Sequence, residues 1–320
     1  MGGGRFEPSH WDKFKTVHSV ATKSVAETFS RAAKADFNPA TVERRESCET
    51  ADKPQVTPII IALDVTGSMG KIPHELIKGG LGTLMEQILA RKSIPNPHVM
   101  FMAVGDVNYD SSPLQVTQFE ADIRIAEQLK ELFIEGGGGG NESESYPIAW
   151  YFAATKTDLD CLKNRGEKGL LFTIGDEFYP AGINGAHLKK FLGLTEAADV
   201  STAAILEQTQ KMFDVFHLCI NQGSNYKPEV QQQWNELLGE RAIPVADYNK
   251  VSEIIVSTID VMRGHKPATE VVASWGGDRE TQLAVAQAIG GLSAMTIDSS
   301  PSGIYRPDSG KKAKLKPGAL

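Results

Sequence analysis

Asp64, Thr66 and Ser68 occupy alternate positions in the segment DVTGSM, directly after an unbroken apolar run from Thr57 to Leu63 (TPIIIAL). One carboxylate and two hydroxyls on a turn that Gly67 makes possible can be aimed at a single point. Hard oxygen donors, few of them charged and with room left for water, suit Mg2+, and Mn2+ is its near substitute. Neither His nor Cys stands in the segment, so nothing in it selects a metal by nitrogen or sulfur. Taken alone, DVTGSM also reads as a plain strand-to-helix turn, with Ser68 near a helix N-cap and Asp64 hydrogen-bonded locally.

Aiming those oxygens requires a rigid frame, and the sequence supplies a regular alternation. The run before Asp64 has the pattern of a strand buried on both faces. Further strands are predicted over Val99 to Val104, Gly169 to Ile174, Val215 to Ile220 and Ala242 to Ala246. An edge strand over Leu114 to Phe119 should pair antiparallel with its predecessor through the link GDVNYDSSP. Helical spacing marks Ile72 to Lys92, Asp122 to Phe133, Tyr146 to Thr157, Ser201 to Met212, Pro228 to Leu238 and Lys250 to Arg263. The alternation predicts a doubly wound, Rossmann-like α/β domain: a mainly parallel sheet, one antiparallel edge strand and helices on both faces. Such sheets bind ligands past the carboxyl ends of their strands, where DVTGSM falls. The domain spans about residues 55–265. Residues 1–54 read as a polar arm with a short helix over Val20 to Ala33, which either wraps the core or waits for a partner. Residues 266–320 form an extension with one helix, over 280–292, and a basic run, Lys311 to Lys316 (KKAKLK).

D-V-T-G-S at the end of the first strand resembles the D-x-[ST]-x-S of the metal-ion-dependent adhesion site in von Willebrand factor A domains. Two more loops carry the resemblance. Glu135 to Trp150 (EGGGGGNESESYPIAW) is similar to the family's second loop, and Thr173 to Glu177 (TIGDE) to its third, whose Asp follows a buried strand. The likeness implies a metal site of Asp64, Thr66, Ser68, Asn141, Glu144 and Asp176, with the hydroxyls on the ion and Asp64 acting mainly through water. The second loop departs from the usual pattern, in which a Thr follows the glycines. A subgroup of intracellular, bacterial and phage-like members has an Asp followed three residues later by Glu, and here Asn141 and Glu144 fill those places. The ligand from this loop stays open among Asn141, Ser143 and Glu144, with Asn141 the first choice.

Composition narrows the function classes. A net charge of −7 argues against a nucleic-acid partner, which needs clustered Lys and Arg. No apolar run approaches the ~18 residues of a membrane span, and the start MGGGRFEPSHWDKFK has no secretory apolar stretch. Cys48, Cys161 and Cys219 are widely separated and odd in number, which suits free thiols and a cytoplasmic protein. The glycine run 136–140 lacks the G-K-[ST] ending of a phosphate loop. Ser68 has no His–Asp pairing and G-x-S-x-G is absent, so no hydrolase triad is expected. Asp106 and Asp110 either border the site or form a charged hairpin turn, and Glu177 and Tyr179 either border the site or, the slightly favoured reading, are exposed loop residues.

The expectation is a binding module rather than an enzyme: a Mg2+ (or Mn2+) ion with an open position, completed by an Asp or Glu from a protein partner. The alternative is a structural subunit of a large assembly, a virion included, joined through the two tails. A metal-assisted hydrolase with Glu144 or Glu177 as base ranks lower, because no Arg or Lys clamp lies near these loops in sequence.

Overall fold

Val56–Asp64 is buried along nearly its whole length and lies inside a six-stranded sheet. A computed structural model describes residues 4–136 and 141–292, with Ser68 and Gly70 described by backbone alone. The strands are β1 (Val56–Asp64), β2 (Asn96–Val104), β3 (Leu114–Val116), β4 (Gly169–Gly175), β5 (Phe213–Ile220) and β6 (Ala242–Val245). Their order across the sheet is β6-β5-β4-β1-β2-β3, parallel throughout except for the β2–β3 pair. This is a doubly wound α/β fold with one antiparallel edge strand, as the alternation predicted. Val104 faces Leu114 in that antiparallel pair, so the link 105–113 turns at the same end of the sheet as Asp64.

Alternate residues of each strand serve opposite faces, which is why the strands read as continuous apolar runs. Ile59, Ile61 and Leu63 join one core, and Ile60 and Ala62 the other. Of the helices used below, α1 (Pro8–His18), α2 (Leu81–Arg91), α6 (Val251–Met262) and α7 (Arg279–Ile289) cover the first face. The second face is covered by α3 (Tyr146–Lys156), α4 (Thr202–Thr209) and α5 (Pro228–Leu238).

Several elements differ from expectation. The N-terminal helix falls at Pro8–His18 rather than over Val20 to Ala33, where only Val25–Thr28 is helical. Pro8 is pre-shaped for a first helical turn, and Ser19, with φ 52°, closes the helix in the left-handed region. This segment wraps the core: Phe6, Trp11, Phe14, Phe29 and Phe37 are all buried. Gly82 of α2 makes the notch for Trp11, since a Cβ there would stand 2.3 Å from the indole nitrogen. The helix expected over Ile72 to Lys92 is interrupted by a π-helical turn, Leu76–Gly80, ahead of α2. A helix over Gly185–Leu192, with Asn184 as N-cap, was not foreseen. Among the described residues no helix is long and apolar enough to cross a membrane. The basic run 311–316 and Gly137–Gly140 lie outside the described residues.

Candidate metal centre

The strand order reverses beside β1: its first crossover leads to β2 on one side, and the chain later returns to β4 on the other. The loops leaving β1 and β4 therefore diverge and open a crevice at their carboxyl ends. Asp64 is the last residue of β1, and Asp176 directly follows β4.

Within the first loop Asp64 is 1% exposed and fully engaged. Its Oδ1 accepts from the Thr66 N–H at 2.9 Å and the Thr66 hydroxyl at 2.6 Å, and its Oδ2 accepts from the Tyr146 hydroxyl at 3.0 Å. Because Thr66 Oγ1 gives its proton to Asp64, its lone pairs are left for a cation. Gly67, at φ 33°, turns the chain into the short 3-10 segment Gly67–Gly70 that carries Ser68. The Ser68 side chain lies outside the described residues.

The second loop is stitched to its neighbours by backbone. Gly136 N–H donates to Val65 O, Ser145 N–H to Gly105 O, and Glu144 N–H to Phe178 O. The Asn141 amide nitrogen donates to Asp106 Oδ2 and, at 3.2 Å, to Ser143 O. Those two acceptors orient the amide and leave Asn141 Oδ1 buried with no hydrogen bond. The Oε2 of Glu144, a residue 2% exposed, is likewise unpartnered. The link after β2 contributes Asp106, whose Oδ1 accepts from the Asn108 backbone and side chain at 2.8 Å each. Asp106 is buried beside the site rather than displayed on a hairpin turn.

The third loop brings Asp176 and Glu177. Asn225, from the loop after β5, holds both: its N–H reaches Asp176 Oδ2 at 3.0 Å and its side-chain amide reaches Glu177 Oε1 at 2.5 Å. Of the two readings of Glu177 the structure bears out the one at the border of the site and not the slightly favoured exposed one: it is buried, because the Trp234 indole bonds its carbonyl at 3.1 Å and draws it inward. Gly223 must lack a side chain, since a Cβ there would fall 1.9 Å from Asp176 Oδ2.

Five buried carboxyls thus share one crevice: Asp64, Asp106, Glu144, Asp176 and Glu177. Burial, followed by neighbouring acids, pushes the Glu144 carboxyl up to about 10 and Glu177 up to about 7. Asp64 is pushed up to about 8, by burial first and then against the Thr66 hydrogen bonds, with Asp176 adding to the rise. Among the described residues no Lys or Arg forms an ion pair with Asp64, Asp106, Glu144 or Glu177. A divalent cation fits this donor set: the donors are all oxygen, three of them (Asn141 Oδ1, Glu144 Oε2 and Glu177 Oε2) are buried without a hydrogen bond, and the local charge is negative. Among the described residues no three His, Cys, Asp or Glu side chains form a metal-holding group by themselves. A site here would therefore have to draw on hydroxyl, amide and water oxygens besides the acids.

The first, second and third loops named from the sequence do meet. Tyr146 and Asn225 were missed. From the sequence Tyr146 is placed only as the first residue of a helix, and nothing singles out Asn225. The available signal was only that each lies at the carboxyl end of the sheet, one beginning α3 and one following β5.

No family model matches the chain, and no curated protein matches it. Among solved structures, the pilus adhesin SpaC of Lactobacillus rhamnosus GG is similar over 68% of this chain and 31% of its own, at 10% identity, with TM-scores of 0.41 in its open conformation and 0.43 in another form. Proximal thread matrix protein 1 of the mussel byssus is similar over 64% of this chain and 46% of its own, at 11% identity and a TM-score of 0.40. The chain thus matches less than half the length of either protein.

Proposed function

We propose that this chain is a divalent-metal-dependent protein-binding module of the von Willebrand factor A type, working in the cytoplasm. Asp64, Thr66, Ser68, Asp176 and the second loop, through Asn141 or Glu144, hold Mg2+ or Mn2+, and a partner's Asp or Glu completes the shell. The observation that carries this reading is the crevice of buried carboxyls at the strand-order reversal, without an ion-paired Lys or Arg on Asp64, Asp106, Glu144 or Glu177 among the described residues. Like-charged carboxyls crowded out of water are costly unless protonated or met by a cation. A cation held largely by neutral oxygens keeps positive charge for an incoming carboxylate, and a bond made in a partly dehydrated interface is strong and specific. The cysteines stand as free thiols, which suits a reducing compartment.

The N-terminal segment, one of the two tails that the assembly alternative would use, lays its aromatic residues into the core. That alternative is favoured only if partner capture survives loss of the metal site. The test is thermal unfolding in EDTA, Mg2+ and Mn2+, followed by identification of the protein retained by the immobilised chain. Wild type should melt higher with metal, and Asp64→Ala should lose that rise. Capture of the partner should need metal and should fail when one Asp or Glu of the partner is replaced. A wild-type melting curve indifferent to both ions overturns the proposal.

A further inference from the structure

Tyr146 stands where the loops of the site meet, and nothing in the apolar packing of α3 requires its hydroxyl. The side chain is fully buried, its ring edge-on to His217 at 5.0 Å and to Trp234 at 5.5 Å between centroids. Phenylalanine would satisfy those contacts equally well. The hydroxyl instead donates 3.0 Å to Asp64 Oδ2. It begins α3 directly behind Ser145, so it belongs to the second loop while holding the first. The start of the third loop is shaped around it: a Cβ on Gly175 would fall 1.9 Å from the phenol oxygen, so only glycine lets the hydroxyl through to Asp64.

We propose that Tyr146 is a positioning residue of the metal centre, fixing the Asp64 carboxylate so that Thr66 presents its oxygen lone pairs to the cation. The inference rests on the metal-dependent module reading above. With Oδ1 taken by Thr66 and Oδ2 by Tyr146, the carboxylate has a single orientation. In that orientation it accepts the Thr66 proton and aligns the hydroxyl. Removing the phenol O–H leaves Oδ2 buried without a donor, and the carboxylate is then free to rotate away from Thr66.

The test is calorimetric titration of the full chain with MnCl2 and with MgCl2, using wild type, Tyr146→Phe and Tyr179→Phe. Tyr179 packs on the same Trp234, with ring centroids 4.7 Å apart, but its hydroxyl faces Gln233 O at 3.4 Å. Tyr146→Phe should raise the dissociation constant for both ions about tenfold, the equivalent of one hydrogen bond. Its melting temperature in EDTA should stay within about 4 °C of wild type, which separates positioning from general loss of structure. Tyr179→Phe should bind as wild type does. Equal affinity in wild type and Tyr146→Phe overturns this inference alone. The same holds if Tyr179→Phe weakens binding as much, or if Tyr146→Phe loses affinity only in step with a collapse of the metal-free fold. A wild type that binds neither ion overturns the module reading and this inference with it.

Discussion

At the scale of single residues the metal-free site contains three carboxyls, those of Asp64, Glu144 and Glu177, that hold protons against their ordinary tendency. An acid whose pKa is higher folded than unfolded binds more protons in the folded state, so stability falls as pH rises through that interval. Burial and acidic neighbours place Glu177 near 7, Asp64 near 8 and Glu144 near 10, all above their unfolded values. In EDTA the protein should therefore lose stability as pH rises from about 4.5, steeply up to about 7 and more shallowly from about 8 to 10, and Mg2+ should restore more of it at the upper end. Urea unfolding with and without Mg2+ across that range checks this, and a flat metal-free profile would count against the crowded-acid description. Protons must leave as the ion enters, so Mn2+ affinity should also rise with pH. Burial acts oppositely on His217, holding it neutral in the folded state.

At the scale of elements, the site depends on where helices and strands end rather than on what fills them. β1 and β4 stop at the crevice, and α3 starts there with Tyr146 already aimed at Asp64. The second and third loops are tied by a short parallel bridge between Ser143 and Phe178, which positions Glu144 and Glu177 together. The helical stretch after the metal loop is less regular, with a π turn over Leu76–Gly80 that contains two adjacent glycines. Gly79 has no atom within 4 Å of where a Cβ would stand, and its φ is not in the positive region. Gly79→Ala should therefore stabilise the chain by about 0.5–1 kcal/mol through lower unfolded-state entropy. A lower urea midpoint for this variant would show that the π turn needs the glycine's freedom.

At the scale of the whole molecule, the sheet is sealed on one face partly by the N-terminal segment. Trp11 is 3% exposed, stacked 5.6 Å from Phe14 and seated over Gly82 of α2. Trp11→Ala should destabilise the protein by about 3–5 kcal/mol, the usual range for deleting a buried aromatic side chain. Equilibrium urea unfolding measures it, and a loss below about 1 kcal/mol would mean that the segment rests on the core without adding to it. Trp275 plays a comparable part beyond α6, with Arg91 over its ring at 4.1 Å and its indole N–H on Ser257 at 2.8 Å.

The α/β class, the strands of the six-stranded sheet and the loops that end beside one another were legible in the local pattern of the chain, whereas the short strands of the two small sheets were not. Runs such as Val56–Asp64 and Phe213–Ile220 are apolar on both faces, and burial on both faces is a local property of the chain. The sequence also carried DVTGSM and the acidic second and third loops. Which side chains complete the crevice depends on packing between distant parts of the chain. Tyr146, Asn225 and Glu177 reach it through contacts 82, 49 and 57 residues apart in the chain. The same holds for the N-terminal segment, whose few aromatic residues are diluted among polar ones. Trp11 finds its place only because α2, more than sixty residues later, offers a glycine there. Periodicity reports which face of an element is buried, whereas a hydrogen bond to a distant carboxylate depends on the packing of every element between.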